Sequence, residues 1–195
     1  MFKKVLLIAP NYLKVYSYVS EEATMILPPL GLAYIASYLR HNGFEVQVLD
    51  LAALRYNDEQ TEKAIAKSNA DLVAMAATTN TIMEAYNIAK ITKKVLNAKV
   101  AVGGPHPTME PQRTLEECKE IDYCVISEAE ETMLELAQGK QLNTILGLSY
   151  RDVNGMIHVN APRPLIQNID ALPFPARDLL PLDRYWTPGV RRYPF

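Results

Sequence analysis

Residues 101–108 read Ala-Val-Gly-Gly-Pro-His-Pro-Thr, and they close a short apolar run. Two adjacent glycines remove both Cβ atoms where a strand stops, so the backbone can turn sharply and a bulky group can lie against it. Pro105 and Pro107 fix φ at two further positions, which holds the loop in one shape. The stretch is either a plain strand-to-helix turn or a rigid loop that contacts a ligand, and the surrounding chain has to decide between them.

Short apolar runs rich in Val, Ile and Leu alternate with helical patterns on both sides of this loop. Such alternation is typical of a parallel sheet covered by helices on both faces. Strands are expected at residues 4–9, 45–49, 71–76, 99–102 and 121–126. Right-handed crossovers predict the flavodoxin-like order 2-1-3-4-5, and the fold class is therefore α/β, a Rossmann-like parallel sheet flanked by helices.

Two helices have clear amphipathic patterns. The first is expected at residues 30–41, with Gly43 just beyond its end, where a left-handed residue often caps a helix. The second is expected at about residues 81–96, and its outward lysines Lys90, Lys93 and Lys94 are interpreted as a solvated face.

The pattern changes after residue 142. Residues 146–151 and 156–159 are expected to be strands joined through Asn154-Gly155, a strong hairpin signal, and to lie at an edge of the sheet. From Ala161 onward there are seven prolines, a density that excludes regular helix and central strand. We therefore divide the chain into an α/β domain (1–142), an edge hairpin of the same domain (143–160) and a proline-rich linker arm (161–195).

The arm contains large apolar side chains that a free linker would not keep in water: Phe174, Leu179, Leu180, Tyr185 and Trp186. Each gains on the order of 1.5–3 kcal/mol on full burial. The arm is therefore expected to lie along the α/β domain as far as Thr187, and order is expected to fade beyond it.

Composition restricts the class of protein. A hydrophobic fraction of 49% and a net charge of −2 fit a globular chain with no basic surface for nucleic acid. No apolar stretch is long enough to span a bilayer, and the N-terminus lacks a signal-peptide core, so a cytoplasmic location is expected. Cys118 and Cys124 have no metal-ligand spacing and are interpreted as reduced structural thiols.

Ligands of open parallel sheets bind beyond the carboxyl ends of the strands, where the strand order reverses. The loops after the strands therefore supply the candidate binding residues: Pro10, Asn11, Pro29, Leu30, Gly31, Thr78, Thr79, Asn80, Gly103, Gly104, Pro105, His106, Pro107, Glu128, Glu130 and Thr132. Several have ordinary structural roles as well. Hydroxyls at residues 78–81 can cap a helix, and acidic residues suit its first turn.

Other ligand classes fit less well. No Gly-x-Gly-x-x-Gly follows the first strand, where Ala9-Pro10-Asn11-Tyr12 stands, and there is no Walker loop. Asp50, at the end of the second strand, meets a ribose, faces water or caps the next segment. His41 and His158 are interpreted as structural, and His106 has no second ligand at metal spacing, so no metal site is expected.

Six segments occur in a specific order along nearly the whole chain. They are Pro28-Pro-Leu-Gly-Leu32, Gly43-Phe-Glu-Val, Val102-Gly-Gly-Pro-His-Pro-Thr108, Ile121-Asp-Tyr-Cys-Val125, Glu128-Ala-Glu-Glu-Thr132 and Leu172-Pro-Phe-Pro-Ala-Arg-Asp178. The set resembles the N-terminal cobalamin-binding domain of cobalamin-dependent radical S-adenosylmethionine enzymes. The resemblance implies that the corrin lies over the carboxyl ends of the strands and that the candidate loop residues bind it.

The family resemblance also implies a radical domain in which three cysteines hold a 4Fe-4S cluster. Neither Cys118 nor Cys124 matches that motif. S-adenosylmethionine and the cluster are therefore expected only in a C-terminal domain beyond this chain, which would pack on the arm. By resemblance, the full protein performs methyl transfer or ring-forming radical chemistry, for example like a magnesium-protoporphyrin monomethyl ester cyclase. The alternative is a non-catalytic flavodoxin-like module that binds a ligand or a partner.

Two departures from the family pattern affect the expected site. The usual Gly-Glu-Gly-Glu is here Ser127-Glu128-Ala129-Glu130, which adds Cβ atoms on both sides of Glu128. The Asp-x-His-x-x-Gly signature that offers a histidine to cobalt is absent around His106. The resemblance therefore implies that His106 is not a cobalt ligand and that the dimethylbenzimidazole base is displaced from cobalt into the domain. We also expect Gly103 and Gly104 to lie against the ligand and to tolerate no side chain, so that Gly104→Val abolishes cobalamin retention while leaving helix content nearly unchanged.

Overall fold

A computed structural model describes residues 2–14 and 25–187 of the chain. Within these residues, seven strands form one sheet: β1 (Lys4–Ala9), β2 (Glu45–Asp50), β3 (Leu72–Ala76), β4 (Lys99–Gly103), β5 (Tyr123–Val125), β6 (Leu148–Arg151) and β7 (Ile157–Val159). Their spatial order is β2-β1-β3-β4-β5-β6-β7. The first five are parallel, and β6 and β7 pair antiparallel at the edge. The expected α/β fold, the strand order and the edge hairpin are confirmed.

The described helices connect the strands. They are α1 (Leu30–His41), α2 (Leu51–Leu54), α3 (Asp58–Ser68), α4 (Ile82–Val95), α5 (Pro105–Met109), α6 (Pro111–Glu117) and α7 (Glu130–Gln138). Helices α1 and α7 cover one face of the sheet, and α3, α4 and α6 cover the other. No helix within the described parts is both long enough and apolar enough to cross a membrane.

Alternate residues of each parallel strand enter different cores, because successive side chains point to opposite faces of a sheet. On β1, Val5 and Leu7 pack beneath α1 and α7, whereas Leu6 and Ile8 pack on the side of α3 and α4. Burial on both faces explains why the strands read as continuous apolar runs.

Two aspartates join neighbouring strands at their amino ends. Asp71 accepts hydrogen bonds from the backbone nitrogens of Lys3 and Lys4, at 2.8 and 2.9 Å. Asp122 accepts from the nitrogen of Val100 at 2.8 Å and pairs with Lys93. The position of Lys93 on α4 predicted only a solvated face, but its side chain pairs with Asp122. Strand β5 is also shorter than expected, and two residues after its end Ser127 turns the chain with a φ of 65°.

The arm crosses the α1–α7 face and reaches the β1–β2 side of the sheet. The nitrogen of Ala176 donates to the carbonyl of Ala33 at 3.0 Å, and Leu180 and Tyr185 are buried. The prediction that Phe174 is buried is wrong: it is 89% exposed. The next two residues, Pro175 and Ala176, are buried against the domain, whereas Phe174 lies outside this contact. The expected loss of order beyond Thr187 concerns residues outside the described part.

Both cysteines are buried in the core on the α3–α4 side of the sheet. Burial raises the pKa of the Cys118 thiol to about 11, and burial also raises that of Cys124. Because the thiolate is the reactive form, we expect a thiol-specific chromogenic reagent to label the native chain very slowly and to label both thiols after unfolding in guanidinium. Rapid labelling of the native chain would contradict this burial.

Candidate functional site

A pocket of about 410 Å³ lies where the strand order reverses, between the carboxyl ends of β1 and β3. Chain connections leave these two strands in opposite directions, which opens a crevice between the loops. The pocket is lined by Ala9, Pro10, Tyr12, Leu27, Pro29, Leu32, Asp50, Ala76, Ala77, Thr78, Asn80, Thr81 and Pro105. We call it the switch-point pocket. Its lining is mainly apolar with a few polar groups, as in most small-molecule sites.

Five of the candidate residues line this pocket: Pro10, Pro29, Thr78, Asn80 and Pro105. They come from three loops that are far apart in the sequence, and the sheet brings them to one edge. The pocket therefore combines loops after β1, β3 and β4, as the position of the strand ends predicted.

A small apolar cavity of about 40 Å³ lies between the sheet and helices α1 and α7. We call it the slot. It is lined by Leu7, Leu32, Ile35, Ala74, Met75, Ala76, Ala101, Gly103, Gly104, Val125, Ala129 and Met133. Leu32 and Ala76 line both the slot and the switch-point pocket, so the two cavities are neighbours.

Sequence reasoning found the two glycines of the slot and missed its other members. Ala74 and Ala76 alternate on β3, and Ala101 and Gly103 alternate on β4. Residues two apart on a strand point to one face, so these four small residues leave room beneath α1 and α7. The alternation of small residues on adjacent strands is a signal for this face of the sheet, but it does not show that the helices above leave a cavity.

Gly104 has a structural reason to be glycine. Its φ is 98° and its ψ is −175°, a conformation that is almost confined to glycine. A Cβ at this position would lie 2.8 Å from the carbonyl oxygen of Ala77. The same carbonyl accepts a hydrogen bond from the nitrogen of His106 at 3.2 Å. The expectation that Gly104→Val disturbs only the ligand therefore does not fit this geometry, because the side chain would collide with the backbone.

Gly103 is different. A Cβ there would meet Val125 at 3.5–3.6 Å, which is ordinary van der Waals contact. The fold itself accepts a small side chain at residue 103, while a larger one would fill the slot. A substitution at Gly103 can therefore test a contact with a ligand in the slot without disrupting the fold.

His106 lies in the glycine loop but lines neither cavity. Its Nδ1 is 3.2 Å from the Oγ1 of Thr79. Its Nε2 is buried and has no hydrogen-bond partner among the described residues. The ring therefore joins the loops after β3 and β4.

Polar residues of the first two candidate loops serve the local backbone. The side chain of Asn11 accepts a hydrogen bond from the nitrogen of Leu13 at 3.1 Å. The hydroxyl of Thr81 accepts from the nitrogen of Thr78 at 3.0 Å, at the start of a 3-10 turn that leads into α4. The hydroxyls therefore cap the 3-10 turn, while Thr81 makes no side-chain capping bond to α4 itself. Thr78 also lines the pocket.

The loop after β5 faces the arm. A carboxylate oxygen of Glu128 accepts from the nitrogen of Ile166 at 2.6 Å. The buried hydroxyl of Thr132 donates to the carbonyl of Leu146 and accepts from Arg163. Neither residue lines either cavity, and the same is true of Leu30, Gly31, Pro107 and Glu130.

Ser127 keeps a conformation that glycine would favour, since its φ is 65°. Its nitrogen donates to the Oγ1 of Thr108 at 3.0 Å, which ties the loop after β5 to the loop after β4. Ala129 has an ordinary right-handed conformation and lines the slot. Of the two Cβ atoms added beside Glu128, it is therefore the one on Ala129 that reaches a cavity.

Asp50 is a buried carboxylate at the edge of the switch-point pocket, only 2% exposed. One oxygen accepts from the nitrogens of Ala52 and Ala53 at the start of α2, at 3.1 and 3.0 Å. The other accepts from the hydroxyl of Tyr185 at 3.0 Å. Burial raises the pKa of Asp50, and these hydrogen bonds oppose the rise. Of the three roles considered for Asp50, the structure has the helix cap, and the side chain does not face water.

The raised pKa of Asp50 makes stability depend on pH in a definite direction. An acid whose pKa is higher in the folded state contributes stability below its unfolded pKa, about 3.9, and loses it as pH rises through the folded value. Wild type should therefore lose stability relative to Asp50→Asn as pH rises above about 4, by about 1.4 kcal/mol for each unit of pKa elevation. Urea unfolding of both proteins from pH 4 to 7 measures this difference. A constant difference would contradict the prediction.

Comparisons with known proteins agree on one family. The B12 binding domain family model matches residues 16–137. An uncharacterized methyltransferase of Pyrococcus horikoshii is 44% identical over 168 residues, which cover 84% of this chain and 36% of that protein. The anaerobic magnesium-protoporphyrin IX monomethyl ester cyclase of Rubrivivax gelatinosus is 31% identical over 178 residues, 87% of this chain and 31% of that protein. The chain thus spans about a third of the length of these curated relatives.

A solved structure has the same fold. The radical S-adenosylmethionine methyltransferase TsrM from Kitasatospora setae, with cobalamin and a 4Fe-4S cluster bound, superposes with a TM-score of 0.67 at 23% identity. The match covers 89% of this chain and 31% of TsrM. The family match supports the cobalamin reading over the flavodoxin-like ligand module. With its Rossmann-like sheet, its pocket at the strand-order reversal and the family match over more than half of its residues, this chain belongs to the B12-binding domain family.

Proposed function

We propose that this chain is the cobalamin-binding part of a radical S-adenosylmethionine enzyme and that it holds the corrin at the switch-point pocket. The observation that carries the proposal is the position of this pocket, at the strand-order reversal within a B12-binding domain. When bound, cobalamin supplies methyl-transfer or radical chemistry at cobalt. The chain supplies position and an apolar surface.

The lining of the switch-point pocket fits a large neutral ring with amide side chains. Pro10, Pro29 and Pro105 offer rigid apolar contact, while Thr78 and Asn80 offer hydrogen-bonding groups. Among the described lining residues Asp50 is the single charged side chain, and it is engaged by Tyr185. The other candidate residues, including Leu30, Gly31 and Glu130, remain predicted cofactor contacts outside the pocket lining.

We assign the slot to the displaced dimethylbenzimidazole base. Its apolar lining and its small residues suit a flat aromatic group, and it adjoins the pocket through Leu32 and Ala76. A volume of about 40 Å³ is close to the roughly 30 Å³ share of one water molecule, so entry of the base requires side chains to move. Met133 lines the slot, and methionine adapts readily to a change of shape.

Reconstitution tests the proposal. The purified 195-residue chain is mixed with hydroxocobalamin, passed through a desalting column and examined by visible spectroscopy. We expect a corrin spectrum that coelutes with the protein and is shifted from that of the free cofactor. A protein fraction without corrin would contradict the proposal and would favour a module that binds another ligand.

His106 is predicted not to coordinate cobalt. It lines neither cavity, and its Nδ1 contacts Thr79. The electron paramagnetic resonance spectrum of the cob(II)alamin-loaded chain is expected to lack nitrogen splitting from histidine. Splitting that disappears in His106→Ala would overturn this prediction.

The domain division and the radical domain belong to the same proposal. We propose that residues 1–142 and the hairpin at 143–160 form the cofactor domain and that the arm at 161–195 leads to a radical domain carrying the cluster and S-adenosylmethionine. Relatives about three times as long as the matched region support this. So do the exposed apolar side chains on the outer side of the arm, Leu165, Ile169 and Phe174, which offer a contact surface for that domain.

The reaction of the full enzyme is proposed only as a class. The Pyrococcus relative is described as a methyltransferase and the Rubrivivax relative as a cyclase, so methyl transfer and ring formation are the two candidates. The higher identity to the methyltransferase, 44% against 31%, favours methyl transfer. A cytoplasmic location is also proposed, and it is supported by two unpaired cysteines held in the core.

A further inference from the structure

The described part of the arm, residues 161–187, reaches the switch-point pocket without lining it. Trp186 forms a two-way backbone bridge with Ile26, with N–O distances of 2.9 and 3.1 Å. Ile26 is buried, and the next residue, Leu27, lines the pocket. The bridge therefore fixes the segment that forms one wall of the pocket.

Tyr185 contacts a second part of the same pocket. It is 6% exposed and lies in an apolar cluster with Ile26, Ala33, Ala53 and Leu180. Its hydroxyl donates to Asp50, a lining residue, at 3.0 Å. Two consecutive residues of the arm thus contact two parts of the pocket: Trp186 holds the wall at Ile26 and Leu27, and Tyr185 holds the buried carboxylate of Asp50. These parts are distant from the arm in the sequence.

Loss of the tyrosine hydroxyl would change the surface that a ligand meets. One oxygen of Asp50 is held by the start of α2, and the other is held by Tyr185. Without Tyr185, a buried carboxylate oxygen loses its donor beside a mainly apolar pocket, which is costly unless the side chain turns or water enters. Either response alters the pocket where the corrin is to lie.

We propose that Tyr185 and Trp186 are positioning residues for cobalamin, acting through Asp50 and through the wall at Ile26 and Leu27. This inference rests on the proposed function. A positioning role is distinct from a general stabilising role of the arm. It requires that a variant at Tyr185 or Trp186 weakens cobalamin binding more than an equally destabilising variant elsewhere in the chain.

The chain offers a matched control. Tyr86 is also a buried tyrosine, 5% exposed, and its hydroxyl donates to a carboxylate, that of Glu117, at 3.0 Å. It lies in the core on the other face of the sheet and lines neither cavity. Tyr86→Phe therefore removes the same atom and a tyrosine–carboxylate hydrogen bond away from the pocket, although Glu117, unlike Asp50, is exposed and also pairs with Arg113.

The experiment measures hydroxocobalamin affinity and visible spectra for the 195-residue chain and its Tyr185→Phe, Tyr86→Phe, Asp50→Asn and Trp186→Ala variants, with melting temperatures measured in parallel. Tyr185→Phe is expected to weaken binding roughly tenfold and to change the spectrum of the bound corrin, whereas Tyr86→Phe is expected to change affinity less than about twofold. The melting temperatures show how much of each change in affinity accompanies a loss of stability. Trp186→Ala keeps its backbone bridge and should have the smaller effect of the two arm variants.

The double variant Tyr185→Phe/Asp50→Asn tests the route of the effect. If Tyr185 acts through Asp50, its removal costs clearly less affinity when Asp50 is already asparagine. Equal affinity of wild type and Tyr185→Phe, or equal losses in Tyr185→Phe and Tyr86→Phe, would overturn the inference and leave the proposed function intact. Failure of the wild-type chain to bind hydroxocobalamin would overturn both.

Discussion

Replacing Gly104 by alanine is expected to lower the free energy of unfolding by about 2–5 kcal/mol, a large part of the stability of an ordinary domain. Two costs combine. The backbone at residue 104 has a φ of 98° and a ψ of −175°, which an L side chain rarely adopts. The new Cβ would also lie 2.8 Å from the carbonyl oxygen of Ala77, an atom of the backbone that cannot simply turn away.

Urea unfolding of Gly104→Ala measures this loss. Gly31→Ala is the matched control, because a Cβ at Gly31 meets nothing within 4 Å and the residue lies in the first turn of α1. That change should leave stability equal or slightly raised, since alanine favours helix over glycine by up to about 1 kcal/mol. Similar stabilities of the two variants would show that the loop after β4 adjusts to a side chain.

Replacing Gly103 by valine is expected to weaken cobalamin binding by about 1–3 kcal/mol, or roughly 5- to 150-fold in Kd. A Cβ at this position makes only ordinary contact with Val125, so the fold accepts it. The two further methyl groups of valine would occupy the slot that we assign to the dimethylbenzimidazole base. Gly103→Ala should lie between wild type and Gly103→Val in affinity.

Ala98→Val controls for the general cost of added volume. Ala98 is buried just before the other end of β4 and lines neither cavity. Ala98→Val should lower the melting temperature while leaving Kd for hydroxocobalamin unchanged. Full affinity in Gly103→Val would remove the slot from the binding site.

Much of the fold follows from patterns that are local in the sequence. Apolar runs of four to six residues indicate buried strands, and Asn154-Gly155 indicates the hairpin. The carboxyl ends of parallel strands lie at one edge, which is why loops containing Pro10, Thr78 and Pro105 could be assigned to one pocket before the structure was known.

Side-chain direction was harder to predict. Glu128 and Thr132 follow the carboxyl end of β5, as a candidate binding loop should. Glu128 binds the backbone of Ile166 and Thr132 binds Arg163, and neither lines the pocket. Their orientation depends on the arm, whose path no local pattern specifies. Phe174 points outward for a similar reason: its hydrophobicity predicts a tendency to be buried, whereas the neighbouring backbone contacts decide which side of the extended chain it occupies.

The slot and the Asp50–Tyr185 contact could not be predicted because each depends on residues of separate elements meeting. Ala74, Ala101 and Ala129 are unremarkable alone, and only their packing beneath α1 and α7 leaves a cavity. Asp50 was correctly considered as a cap, but its second partner lies 135 residues further along the chain.

The contacts of the arm also bear on when the pocket is completed during synthesis. Tyr185 meets Asp50 across 135 residues, and Asp178 meets Arg40 across 138. The strands from β1 to β5 leave the ribosome well before the arm, and domains fold from the N-terminal side as they emerge. The wall at Ile26 and Leu27 acquires its bridge only when Trp186 has emerged. We therefore expect cobalamin to be loaded only after the arm has been translated, although the described residues that line the pocket, the last of which is Pro105, are made well before it.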